Sequence, residues 1–165
     1  MSAAADTLAP LRTAAVAPAS PETWRKVALA LGTLFRVTEH EVAIFRLRDD
    51  ALSFLVPEKL GSMGTIPLSA ATTSVAARTA LTKRGELLNN FMTTKHISFF
   101  EGIKLGESSK LPIHKLMTLP ILKDGKVVGV VQISRKAAPD AQVVDFTPAD
   151  LLTLTQAAVL LAPLF

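Results

Sequence analysis

The chain has 165 residues, 49% of them hydrophobic and 19% charged, which is enough for one well-buried core and too few for two ordinary domains. It contains no cysteine, which excludes disulfides, thiolate nucleophiles, zinc–thiolate sites and iron–sulfur clusters and suits a reducing compartment, the cytoplasm by default. The net charge of +4 is unevenly spread: residues 78–136 hold eleven basic and four acidic side chains, whereas residues 137–165 hold three acids and no base.

Residues 1–20 are rich in Ala, Pro, Ser and Thr, show no periodicity and read as a flexible arm. They lack a basic n-region, and Pro10, Pro18 and Pro21 interrupt any signal-like apolar stretch, so secretion is not expected. Order is expected from residue 21 to residue 165. Ser20-Pro21-Glu22 supplies an N-cap, a proline for the first turn and an acid facing the helix dipole. Trp24, Val27, Ala28, Leu31, Leu34 and Phe35 then recur at three and four, predicting an amphipathic helix over about 21–37.

Glu41–Arg48 and Ala51–Val56 read as two strands joined by a tight Asp49-Asp50 turn. Gly61 and Gly64 mark a bend before a short strand at Thr65–Leu68, and the Ser69–Ser74 cluster offers N-caps for a helix ending at Lys83-Arg84-Gly85, where Gly85 is the expected terminator. Glu86–Asn90 predicts a short strand. Phe91–Leu111 has no period of either kind and reads as a long crossover loop of the sort that forms binding segments.

Asp124-Gly125 between Leu116–Leu122 and Val127–Ser134 predicts a type I′ hairpin. The second strand is apolar at both parities and so belongs in the centre of a sheet covered on both faces. Pro120 implies an edge, bulge or bend in the first strand, and Gly129 a close approach by a helix or ligand. After a linker at 137–144, Thr147-Pro148-Ala149-Asp150 opens a last helix with a near-capping box, continuing through Leu161. Neither this helix nor Val27–Phe35 reaches the roughly 20 apolar residues of a membrane span.

The order of elements resembles that of the GAF domain, a small-molecule sensory fold. The likeness is carried by Ile66-Pro67-Leu68, by Val75-Ala76-Ala77-Arg78-Thr79 leading to Gly85-Glu86, by Leu119-Pro120-Ile121 with the strand from Gly125 to Ile133, and by Phe146–Leu151. The resemblance implies an α/β (α+β) fold: a mainly antiparallel sheet flanked by helices, with the N- and C-terminal helices together on one face. It also implies a ligand held without a covalent bond between the sheet and the crossover. Enzymes of this family, such as free methionine sulfoxide reductases, and its bilin carriers rely on cysteine, so a chain without cysteine is expected to be no enzyme. Cyclic nucleotides stay open by resemblance, but no residue set singles one out.

The ligand-binding candidates border or lie in the crossover: Arg78, Asn89, Asn90, Phe91, His96, Phe99 and Phe100, which combine aromatic walls with a few polar groups. Arg78 suits an anion, although an arginine on a helix is commonly a solvated one. No metal site or cofactor is expected, because His40, His96 and His114 lack ligand spacing, and Gly61-Ser62-Met63-Gly64 lacks the lysine of a phosphate loop. The expected partner is an unidentified small molecule, with an anion among the candidates. The alternative is a structural or protein-interaction module whose pocket is filled by its own side chains. Apolar stripes at Trp24/Val27/Leu31/Leu34 and Leu151/Leu154/Ala158/Leu161 suit a homodimer through the terminal helices, or simply cover their own sheet. Nucleic acid is disfavoured despite the basic middle segment, since no tyrosine and one tryptophan leave little to stack on bases.

Overall fold

The computed structural model describes residues 6–91 and 111–165. Helix α1 spans Ala9–Ala14 and α2 spans Pro21–Phe35; strands β1 (Val42–Arg48), β2 (Ala51–Val56) and β3 (Ile66–Pro67) follow. Helix α3 (Val75–Thr82), β4 (Glu86–Leu88), the long hairpin β5 (Ile113–Lys123) and β6 (Lys126–Lys136), and α4 (Pro148–Leu161) complete the order. The strands form a six-stranded sheet in the order β3-β2-β1-β6-β5-β4, with every neighbouring pair antiparallel.

Local chemistry accounts for most boundaries. The Ser20 hydroxyl accepts from the Thr23 amide at 3.1 Å and starts α2. Thr147 and Asp150 complete the capping box of α4: Thr147 Oγ1 accepts from the Asp150 amide at 3.1 Å, and Asp150 Oδ2 from the Thr147 amide at 2.8 Å. Both tight turns have consecutive left-handed residues, Asp49 and Asp50 with φ of 51° and 57°, Asp124 and Gly125 with 53° and 76°, as a type I′ turn requires.

Strand β6 lies between β1 and β5, and Gly129–Ser134 is buried on both faces, which explains its apolar run. One face of the sheet carries the larger core, where Trp24, Val27 and Leu31 of α2 and Leu154, Ala158 and Leu161 of α4 meet Ile44, Met117, Val131 and Ile133. The two terminal helices therefore share that face, as expected. Helix α3 covers the other, packing Ala76, Ala77 and Ala80 against Phe45, Leu52 and Val130.

Two expectations are corrected and a third holds. Residues 9–14, read as part of an arm without structure, form α1, whose Leu11 is 1% exposed in the core shared by α2 and α4. A helix of six residues whose one buried side chain is Leu11, with Leu8 buried at its N-cap, is too short to show a period, so its stability comes from packing and not from propensity. Helix α3 ends on Lys83 in the left-handed conformation (φ 55°), not on Gly85. Gly85 is instead pressed against Leu119, where a Cβ would overlap that side chain. Pro120 lies two residues beyond the part of β5 that pairs with β4 and one residue before the register shift at Ile121/Leu122, so it stands where β4 no longer pairs and beside an irregularity, as expected.

Candidate functional site

The α3-covered face of the sheet holds the candidate site. A narrow cavity of about 50 Å³ runs between β1, β6 and β5, with room for a few waters. Its apolar walls come from Ala43 and Phe45 on β1, Phe54 and Pro57 at the end of β2, and Leu116 on β5. The rings of Phe45 and Phe54 lie 4.4 Å apart and close one end. Polar groups come from β6, where period-two alternation sends Gln132, Ser134 and Lys136 to this side.

Gln132 is 4% exposed and belongs to a directed line of hydrogen bonds. Thr79 Oγ1 on α3 donates to the Val75 carbonyl at 2.8 Å and lies 2.8 Å from Thr118 Oγ1, which in turn is 3.3 Å from Gln132 Nε2. A hydroxyl has one proton. Since Thr79 gives its proton to Val75, Thr118 donates to Thr79 and accepts from Gln132. The amide nitrogen of Gln132 is thereby assigned, and its carbonyl oxygen is the end left over, with no donor among the described residues. A buried acceptor left without a donor costs free energy that a donor on a ligand would recover.

Lys136 stands at the rim. Its Nζ donates to the His40 carbonyl at 3.1 Å, and its backbone amide donates to Glu41 Oε2 at 2.6 Å. Burial pushes the ammonium pKa below the ordinary lysine value, and the nearby Glu41 carboxylate partly opposes that shift. The other two ammonium protons have no acceptor among the described residues. Together, the site offers one acceptor at depth and one cation at the mouth, between aromatic and aliphatic walls.

The residues expected from sequence take different places. Arg78 is held by Glu86 through Nε–Oε2 at 2.9 Å and Nη2–Oε1 at 3.0 Å, each side chain about 30% exposed. Asn89 clasps the backbone of Phe146, donating to its carbonyl and accepting from its amide, each at 2.9 Å. Phe91 packs against Val75, Ile113 and Leu116, and Asn90 is exposed on the turn between Asn89 and Phe91. None of these four lines the cavity. His96, Phe99 and Phe100 lie outside the described residues.

Sequence reasoning missed Gln132 and Lys136, although one signal was present: Gln132 is the single polar side chain in the buried apolar run of β6 from Val127 to Ile133. Among the described residues there is no cluster of three or more potential metal ligands and no helix long and apolar enough to cross a membrane.

The same architecture recurs in solved structures. A GAF domain from an Acinetobacter phosphoenolpyruvate-protein phosphotransferase aligns with a TM-score of 0.70 at 17% identity, covering 96% of this chain and 90% of that one. The GAF domain of the corresponding Coxiella burnetii protein gives 0.71 at 14% identity, covering 96% and 91%. A free methionine-R-sulfoxide reductase from Neisseria meningitidis, solved with its substrate, gives 0.63 at 14% identity over 99% and 92%. At such identities the likeness is one of fold. No curated protein matches the chain. The family model for the GAF domain matches residues 21–163, from the first residue of α2 to beyond the end of α4, and the chain therefore belongs to the GAF domain family.

Proposed function

We propose that this protein is a non-catalytic sensory domain that binds a small molecule without a covalent bond in the cavity beside β6. The ligand donates a hydrogen bond to the Gln132 carbonyl and places an acceptor or negative charge against Lys136. At about 50 Å³ the cavity admits only a group of a few heavy atoms, so the part of the ligand that enters it is a small donor-bearing group such as a simple amide or amine, with the rest of the molecule outside near Lys136. The observation that carries the reading is the leftover Gln132 acceptor, which the Thr79–Thr118 line orients away from its own partners. Further support comes from the absence of cysteine, which removes the thiol chemistry that the family's reductases are expected to need.

The test is a thermal-shift screen of amino acids, nucleotides and nitrogen heterocycles, followed by calorimetry on any compound that raises the melting temperature, since a ligand specific to the native state stabilises it by mass action. A hit should lose about tenfold or more in affinity in Gln132→Leu, which removes the acceptor at similar volume. A hit that binds Gln132→Leu as tightly as the parent protein overturns this assignment.

A second reading has its own observation. Leu152 and Val159 lie seven residues apart on α4 and are 61% and 69% exposed, although the opposite side of that helix is already buried. We propose that two copies pair through this face. Light scattering of Leu152→Lys/Val159→Lys should report a monomer where the parent chain reports a dimer; an unchanged mass sinks the idea.

A further inference from the structure

A second cavity lies on the opposite side of the His40–Pro57 wall, between the N-terminal half of α2 and the end of β2. It measures about 390 Å³, within the range of small-molecule sites. Trp24, Ala28 and Leu29 form one wall and Leu55, Val56 and Pro57 the other. An α-helix, with side chains about 10–12 Å across, is too large for it.

From these features we infer that this cavity is a separate binding site for a small, uncharged aromatic molecule bearing a hydrogen-bond acceptor. Three observations lead there. Trp24 is 5% exposed, yet its indole N–H has no acceptor among the described residues, whereas a buried tryptophan normally finds one. An acceptor on the ligand satisfies it. Leu29, on the same wall, is 60% exposed, leaving apolar surface at the mouth for a ring to cover. Arg25 and Lys59 at the rim are balanced by Glu39 and Glu58, so no net field favours an ion of either sign.

Trp24 is the only tryptophan in the chain and also lines a neighbouring cavity toward Ser20 and Gly61, so its emission reports binding at either, and Leu29, which lines only the first of the two, tells them apart. The probe is N,N-dimethylbenzamide, which has a ring and an acceptor but no donor, titrated into the full chain. A saturable change in Trp24 emission is expected, with benzoate binding more weakly. Leu29→Glu, a surface change that leaves the fold intact, should weaken the amide by placing a carboxylate at the mouth. Trp24→Phe, followed by ligand-observed NMR, should weaken it about fivefold through loss of the donor. Gln132→Leu should leave it unchanged. A linear, non-saturating response overturns the site, as does a saturable one indifferent to Leu29→Glu. A response abolished by Gln132→Leu also overturns it, because the probe then occupies the cavity beside β6.

Discussion

Asn89 and Phe146 exchange two hydrogen bonds across 57 residues of chain, with the side-chain amide of one matching the backbone amide and carbonyl of the other at 2.9 Å each. The clasp ties the end of β4 to the residue just before the N-cap of α4. Lys115 reinforces it, donating to the Asn89 carbonyl at 2.8 Å and pairing with Asp145 at 2.6 Å. Arg135 stacks over the Phe146 ring at 4.2 Å and donates to the Val144 carbonyl at 2.8 Å. A linker without regular structure is thus fixed by side chains from β5, β6 and the turn after β4.

Asn89→Ala removes both bonds and leaves a partly buried amide and carbonyl unmatched, so it should lower unfolding free energy by about 1–3 kcal/mol. Asn89→Asp keeps the acceptor but sets a carboxylate against the Phe146 carbonyl and should cost at least as much at neutral pH. Urea denaturation followed by circular dichroism checks both; a loss below about 0.5 kcal/mol in Asn89→Ala would show that water replaces the clasp at no cost.

Gly129 is a place where no side chain fits. A Cβ there would overlap the Phe45 carbonyl oxygen and come within 2.7 Å of Phe165 Cε1. Gly129→Ala should therefore destabilise by roughly 1–3 kcal/mol. It should also shift Trp24 emission, because the Trp24 and Phe165 rings meet edge to face at 5.4 Å. Gly125→Ala is the control: its Cβ meets open space, but its φ of 76° strains an L-residue, so it should cost about 1 kcal/mol and leave the emission unmoved.

The line from Gln132 to Val75 predicts an asymmetry at Thr118. Thr118→Ser keeps the relay and should cost little more than the lost methyl group, about 1 kcal/mol. Thr118→Val keeps the shape but strands the Gln132 amide and the Thr79 oxygen, and should cost about 1–3 kcal/mol. Equal losses in a denaturation series would show that the Thr118 hydroxyl contributes nothing to the line.

Lys136 sets a pH dependence. Its folded-state pKa lies below the unfolded value because burial disfavours the ammonium. Between the two values the unfolded chain binds more protons, so stability rises with pH as the solution approaches the ordinary lysine range from below. Lys136→Met should flatten that alkaline rise. Parallel stability curves for the two proteins would remove Lys136 as its source.

Local signals were readable from the sequence and tertiary ones were not. Ser20, Thr147 and Asp150 cap their helices within three residues of chain, and Asp124-Gly125 makes its turn within two, so composition and spacing were enough. The GAF likeness rested on such elements and on the doubly buried β6. The site depends on longer reach: Thr79 meets Thr118 across 39 residues, and Gln132 meets Thr118 across 14. Asn89 was recognised as neighbouring the crossover, but its match with Phe146 exists only once β4 and the start of α4 are side by side. Helix α1 was missed for a related reason: Leu8 and Leu11 gain their burial from α2 and α4, not from their own turn.

His40 and Pro57 line both cavities, so one thin partition separates two volumes. A side chain shifted toward one side would give room to one compartment at the expense of the other. Molecules filling both would then compete through the wall without touching. Thermodynamic reciprocity demands that whatever factor the first imposes on the second, the second returns unchanged. In this fold a few atoms of imidazole and pyrrolidine belong to both linings at once.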